Sequence, residues 1–413
     1  MKFKNLLIAI LVLVTMQSYA QLTISGELRP RAEYRNGYKT LTADGSDAAL
    51  FVSQRTRLNT KYVTDDYTFF LSFQDVRVWG DVAQLNTADN NGLAVHEAWG
   101  QVKFNPSFSV KLGRQEIIYD DSRMFGNVGW AQQGRSHDAA IFKFGNENYK
   151  LDLGVAYNQD AEALFGNLYT VGGNYKAMQY AWFHKDWSNI KASFLLLNNG
   201  LQNVAAEEIR YSQTLGTNLN FKASSNLNVA VNAYLQSGKD VADRDLSAYL
   251  VGLDLGYKAS DKVNLGLGFE IQSGNAYDGE VSKNKAFTPF YGTNHKFNGF
   301  MDYFYVGNHA NSVGLVDIYA KIGTKLGEKS SLTAFVHNFS AQADIAQDVE
   351  KHLGTEIDLV YSHKLNNDVT IGAGYSQMFA SEGLEVLKNN ASGNGNNWAW
   401  LMLTIKPTLF SSK

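Results

Sequence analysis

The segment KVNLGLGFEIQ, residues 262–272, alternates without a break. Val263, Leu265, Leu267, Phe269 and Ile271 fall on one side, and Asn264, Gly266, Gly268, Glu270 and Gln272 on the other. NLNVAVNAYLQ sets Leu227, Val229, Val231, Ala233 and Leu235 against Asn228, Asn232 and Gln236; LDLGVAYN and TEIDLVYS repeat the scheme. This is the period of a strand with one apolar and one polar face. A chain built from such strands folds either as a soluble sandwich that buries the apolar faces together or as a transmembrane barrel that turns them to lipid.

The connections separate the two. Short turns at 64–66, 105–107, 224–226, 258–262 and 365–368 alternate with longer segments at 36–50, 80–92, 118–134, 199–209, 237–245, 274–312 and 380–396. Short turns at one end and long loops at the other are the outer-membrane pattern, with turns periplasmic and loops extracellular. Letting every long loop follow a rising strand requires one descending strand near 177–187, with 159–176 outside. The expected fold is therefore an all-β antiparallel barrel of 18 strands, with 16 as the alternative. A barrel this wide leaves an aqueous channel unless loops plug it.

The first twenty residues read as a cleaved signal peptide: Lys2 and Lys4, an apolar run from Leu6 to Met16, then Ser18-Tyr19-Ala20. The mature chain is expected to be one barrel domain, 21–413, in the outer membrane of a Gram-negative bacterium. Its partners would be outer-membrane lipid and the barrel-assembly machinery. Cysteine is absent, so disulfides do not staple the fold. A net charge of −3 gives no sign of a nucleic-acid partner. Trp182, Trp187, Trp398, Trp400, Tyr257, Tyr361 and Tyr375 fall mostly near strand ends, where interfacial girdles are expected; aromatics also simply favour strands.

Arginine is distributed unevenly: nine of the eleven lie between Arg29 and Arg135. In the opening strand, GELRPRAEYR, charge occupies every second position. In FVSQRTRLNTKY, Arg55, Arg57, Asn59 and Lys61 oppose Val52, Leu58 and Tyr62; Glu97, Gln101 and Lys103 share a face in HEAWGQVKF. Arg or Lys facing hydrocarbon at the midplane costs about 2–4 kcal/mol, so these faces belong in the lumen. The inward set expected is Arg29, Arg31, Arg35, Arg55, Arg57, Lys61, Arg77, Lys103, Arg114 and Arg135, with acidic partners Glu27, Glu33, Asp75, Glu97 and Glu116. Asp75, Arg77 and Arg114 share parity with apolar neighbours, which a bulge or departure from the membrane would reconcile. Pro30 falls on the outward parity, and a local bulge is expected there. The excess of positive charge on one wall points to an anion-favouring channel. The other reading of the same residues is that Arg–Glu pairs only stiffen the wall.

The 274–312 segment is unusually aromatic, with Phe287, Phe290, Tyr291, Phe297, Phe300, Tyr303, Phe304 and Tyr305. It should fold inward or pack on itself, as a gate, as flat surfaces for sugar rings, or as a structural cap. No cofactor or metal is indicated. His295, Asp302 and His309 fit no metal-binding spacing, and the acidic stretches 42–48 and 240–245 lack a full calcium loop. No G-x-S-x-G, P-loop or H-E-x-x-H motif occurs, and His137-Asp138 on a strand would point to opposite faces. An enzyme is not expected.

GELRPRAEYR, QRTRLN, FQDVRVWG, EAWGQVKF, LGRQEIIYDDSRMFGNVGWAQQGRSHDAAIF and TNHKFNGFMDYF together resemble the alginate-export family of outer-membrane porins. The resemblance implies an 18-stranded barrel whose arginine-rich lumen passes an acidic polysaccharide or oligosaccharide outward, together with periplasmic export components. It assigns the lumen role to Arg29, Arg31, Arg55, Arg57, Arg77, Arg114 and Arg135. Two alternatives stay open beside it: a general or small-anion porin for nutrient uptake, and a plugged, non-conducting structural or adhesion barrel.

Overall fold

The computed structural model describes residues 20–86, 88, 89, 92–390 and 395–412; the expected signal peptide lies outside them but for Ala20. The first six strands are β1 (Gln21–Asn36), β2 (Ala49–Val63), β3 (Tyr67–Val78), β4 (Ala94–Asn105), β5 (Phe108–Gln115) and β6 (His137–Gly145). Then come β7 (Tyr149–Tyr157), β8 (Ala177–Asp186), β9 (Ile190–Asn203), β10 (Glu208–Lys222), β11 (Leu227–Lys239), β12 (Asp245–Lys258) and β13 (Val263–Gln272). The chain continues through the two-residue β14 (Lys283–Asn284), then β15 (Leu315–Lys325), β16 (Ser330–Ser340), β17 (His352–Lys364) and β18 (Val369–Ala380). It ends with β19 (Asn396–Ile405) and β20 (Thr408–Ser411).

Each long strand pairs antiparallel with its neighbours, and β19 returns to β1, closing the sheet. β14 lies in the long loop beside the start of β12. Lys406 and Pro407 interrupt the last strand, and β20 continues it along the lower part of β1. The barrel therefore has 18 strands, as the alternation implies, and β8 descends where expected. Among the described residues, no helix is long and apolar enough to cross a membrane.

The sheet is inside out relative to a soluble sandwich. Leu196, Leu215, Leu235, Leu267, Ile318 and Leu401 are each more than half exposed on the outer face, which is where a hydrocarbon solvent takes them. Polar and charged groups of the alternate parity point inward. Two apolar clusters also occupy the lumen, where loop residues meet the strands. One includes Met124, Phe125, Tyr180, Leu197 and Leu250. The other includes Leu41, Met301, Tyr303, Phe339, Leu384 and Trp398. Leu384 comes from α1 (Glu382–Lys388), in the loop before β19.

Two local expectations are corrected. No register shift occurs between β1 and β2 at Pro30; the ladder to β19 simply lacks pairs between Leu28 and Arg31, because proline offers no N–H. A bulge does lie in β4, opposite Ser72 and Phe73, and leaves His96 outside the ladder to β3. Trp182, Trp398 and Trp400 are buried inside the barrel rather than set in an outer girdle, whereas Trp187, Tyr257 and Tyr375 are exposed.

Candidate functional site: a partitioned lumen

The arginines of β1 and β2 meet the segment 129–133, which leaves β5, folds into the lumen and returns as β6. Arg29 donates through Nη1 to the carbonyl of Gly129 at 2.7 Å and through Nη2 to those of Trp130 and Ala131. Its Nε and Nη2 also reach Gln132 Oε1. Arg31 Nη1 donates to Trp130 O at 2.7 Å, and its guanidinium lies 4.0 Å above the Trp130 ring. Arg55 donates to Ala131 O and Gln132 O, and Arg57 to Gln133 O. The five carbonyls from 129 to 133 have no strand to bond, and buried carbonyls require donors; the guanidinium forks supply them. Glu27 holds Arg55, Glu33 lies between Arg31 and Arg35, and the indole of Trp398 donates to Glu33.

The expected inward direction of Arg29, Arg31, Arg55 and Arg57 is what parity produces, but the first three are buried behind the 129–133 segment. Lys61 and Lys103 also have inward parity, nearer the turn end and exposed. Arg135 donates to Gly292 O and ties one inward loop to the other. Glu97 faces inward and accepts the Trp99 indole and the Glu116 amide. Asp75, Arg77 and Arg114 take the outward parity of their strands, although Arg77 also borders the loop-side cavity. The pairs Leu28–Thr56–Asp75 and Pro30–Gln54–Arg77 form columns on the outer face. Arg114 shares the outer column of Ala98. Each sits near the loop end of its strand, where Arg77 pairs with Asp75 and Asp89, and Arg114 with Asp138.

The second half of the barrel carries an acidic wall. Glu270 on β13, Asp317 on β15, and Glu356 and Asp358 on β17 are all buried and inward. The 294–302 segment, part of the aromatic loop, rests on them. Asn298 Nδ2 donates to Glu270 at 2.9 Å and to Asp317 at 3.2 Å; the Met301 amide donates to Glu356 Oε1 at 2.8 Å. Gly299 has φ +81°, and a Cβ there would lie 2.6 Å from Glu356 Oε1, so only glycine lets the backbone come this close. Arg123, fully buried, bridges from the first loop to Glu270 and Asn298. His337 bonds Asp317 at 2.9 Å, and Ser376 donates to Asp358 Oδ1. Glu356 Oε2 and Asp358 Oδ2 are buried without a hydrogen-bond partner.

The two inward loops join in mid-lumen. Gly126 N donates to Tyr291 O and Thr293 N to Ser122 O. Tyr303 is fully buried, Phe290 and Tyr291 pack on the first apolar cluster and Phe300 on the second; Phe297 stacks under Arg123. The partition leaves a cavity of about 430 Å³ on the loop side, bounded by Arg31, Arg35, Lys39, Tyr38, Trp130 and Tyr305. Arg35 stacks 4.2 Å over Tyr38, and Lys39 is nearly half exposed, 4.0 Å from Asp302. Burial would raise the Asp302 carboxyl, but His295, the Tyr38 hydroxyl and Lys39 together hold it below the usual carboxylate range.

The His295–Asp302–His309 trio is not a metal site: His295 pairs with Asp302, whereas His309 bonds Gly314 O. Ligand atoms of His96, Glu97 and Glu116 lie within 4.8 Å of one another. Arg57, 3.8 Å from Glu116, already supplies positive charge there, and Asn127 and Trp99 occupy further oxygens.

The sequence reading missed the acidic wall and Arg123, and it also missed Lys111, which faces inward over Trp99. The shared parity of Glu356 and Asp358 in TEIDLVYS carried the signal for the first of these.

No curated protein matches the chain at a significant level. The fold matches Acinetobacter baumannii OccAB1 with a TM-score of 0.66 at 12% identity, covering 96% of this chain and all of that one (100%). It matches Acinetobacter baumannii OccAB4 with a TM-score of 0.65 at 12% identity, over 96% and 99% of the two chains. Pseudomonas aeruginosa OpdK, solved with vanillate, gives 0.60 at 11% identity over 95% and 99%. These are the folds of outer-membrane porins. The family model described as Alginate export matches residues 20–394, and the chain belongs to that family.

Proposed function

We propose that this outer-membrane channel passes short acidic saccharides, with the loop-side basic cavity as the point of selection. The turns then face the periplasm and the long loops the exterior. The observation that carries the reading is the convergence of Arg31, Arg35 and Lys39 with the rings of Tyr38, Trp130 and Tyr305 on one cavity of about 430 Å³, where these three bases and Arg77 outnumber the lining acids Glu33, Asp81 and Asp302 by one. Guanidinium and ammonium groups attract a carboxylate, ring faces give a pyranose an apolar support, and low-dielectric walls focus the field of the buried arginines behind them. Arg35 and Lys39 keep part of their surface in water, so binding stays weak enough for release. Partition of the lumen by the two loops favours a solute of a few sugar units over a long polymer. Small carboxylates are the second reading, favoured by the same narrowing; the similarly folded OpdK was crystallised with vanillate.

The test is reversal potential and current block in planar bilayers. Anion preference and block by a uronate trimer are expected, and Arg35→Gln should weaken the block by about five-fold, close to 1 kcal/mol. Cation preference, or a uronate trimer that leaves the current untouched, would sink the proposal. Block by benzoate-sized acids alone would select the second reading.

A further inference from the structure

A second cavity, of about 370 Å³, lies against the opposite wall beneath the 296–300 segment. Its surface combines ring faces and polar groups. Phe300 meets Phe335 edge to face with centroids 5.5 Å apart, and Phe335 continues through His337 to Tyr319. Beside this ring surface, Tyr319 Oη donates to Asp254 Oδ2 at 2.8 Å and Lys321 Nζ donates to the same oxygen at 2.6 Å. Both bonds end on one carboxylate oxygen, and Oδ1 accepts from neither. Asp254 and Lys321 are each about 30% exposed (30% and 31%), so water reaches them. Around the cavity, Asp121, Asp254, Glu270 and Asp317 stand against Lys296, Lys321 and Arg123. The acids exceed the bases by one.

We infer that this cavity is a saccharide subsite for a neutral, hydroxylated ring, separate from the basic cavity. The chemistry differs from that of the basic wall. A uronate carboxylate brought here would meet Asp254 and Asp317; Lys321 and Arg123 are already paired, and Lys296 donates to the carbonyl of Asp121. A neutral ring loses nothing to charge: its apolar face lies on Phe335 and Tyr319, while adjacent hydroxyls donate to Asp254 Oδ1 and accept from Lys321. Apolar walls with a few placed polar groups are the usual make-up of a small-molecule site. Taken together, the two cavities suit an oligosaccharide that carries acidic and neutral units side by side. This rests on reading the barrel as a saccharide channel, but not on its anion preference.

The experiment measures current block of the full-length barrel by two neutral trimers, maltotriose and mannotriose, beside the uronate trimer. At least one neutral trimer should block the native channel. Phe335→Leu and Asp254→Asn should each raise its blocking concentration by about five-fold or more, close to 1 kcal/mol, and leave uronate block unchanged. Tyr319→Phe, which removes only the hydroxyl on Asp254, should act in the same direction and less strongly. Unaltered open-channel conductance identifies variants that have folded. Failure of both neutral trimers to block the native channel overturns the inference while leaving the acidic-saccharide reading intact. Equal weakening of neutral and uronate block by Phe335→Leu also overturns it, because the residue would then set only the width of the lumen.

Discussion

The basic wall of β1 and β2 and the acidic wall of β13 to β17 hold their loops by opposite chemistry. On the basic side, side-chain donors take backbone carbonyls, and four guanidiniums serve five consecutive peptide groups. On the acidic side, side-chain acceptors take one amide N–H and the Asn298 side chain. The basic contact is further neutralised by Glu27 and Glu33, whereas the acidic one leaves an oxygen of Glu356 and an oxygen of Asp358 buried without a hydrogen bond, the latter 3.9 Å from His337 Nε2. An unpartnered buried polar atom carries a desolvation cost. The lesson is that inward charge in a barrel need not be charge offered to solute. Here much of it fixes the two inward loops.

The strongest test of that contrast is Arg29→Ala. It removes the donors to Gly129, Trp130 and Ala131, at a cost of about 3 kcal/mol for charged hydrogen bonds. The 129–133 segment should leave the wall, with a lower unfolding temperature by heat-modified gel mobility and a larger single-channel conductance. Native conductance with native stability would show that the loop is held elsewhere. On the acidic side, Gly299→Ala places a Cβ against Glu356 at a positive φ, for about 1–3 kcal/mol of strain. The 294–302 segment should lift and become cleavable by added protease; complete resistance would mean that the wall absorbs the methyl group. The smallest effect belongs to Arg114→Ala. Its pair with Asp138 is about half exposed on both sides, 45% and 58%, and such pairs contribute about 0–1 kcal/mol. Ion selectivity should not change at all, and a shift in reversal potential would return Arg114 to the lumen.

Much of this was legible in alternation alone. Parity correctly turned Arg55, Arg57 and Lys61 away from lipid, and turn spacing yielded 18 strands because a closed antiparallel barrel couples the two. The inward assignment failed near the loop ends of two strands. Arg77 and Arg114 keep the outward direction of Phe73 and Leu112, and each is neutralised there by acidic neighbours, Asp75 and Asp89 or Asp138. The bulge at His96 was not readable, because it is set by how β3 and β4 meet. The inward course of 116–136 was also hidden: its carbonyls carry the recognition, and every residue type has the same carbonyl. Tryptophan position misled for a related reason. An indole suits a membrane interface and a loop-packed lumen equally, and only the neighbours of Trp398 and Trp400 decide between them.

The closing seam joins the two ends of the chain, with Thr23 opposite Ser411 and Arg35 opposite Trp398. Glu33, which orders Arg31 and Arg35, takes its indole donor from across that seam. The chain must therefore be complete before its first strand acquires its final surroundings. Contacts between residues so distant in sequence form late. Those of Arg29 and Arg31 to the 129–133 segment span 100 and 99 residues, whereas the bond that completes Glu33 spans 365. The last partner of the arginine hub is therefore supplied only when the seam closes.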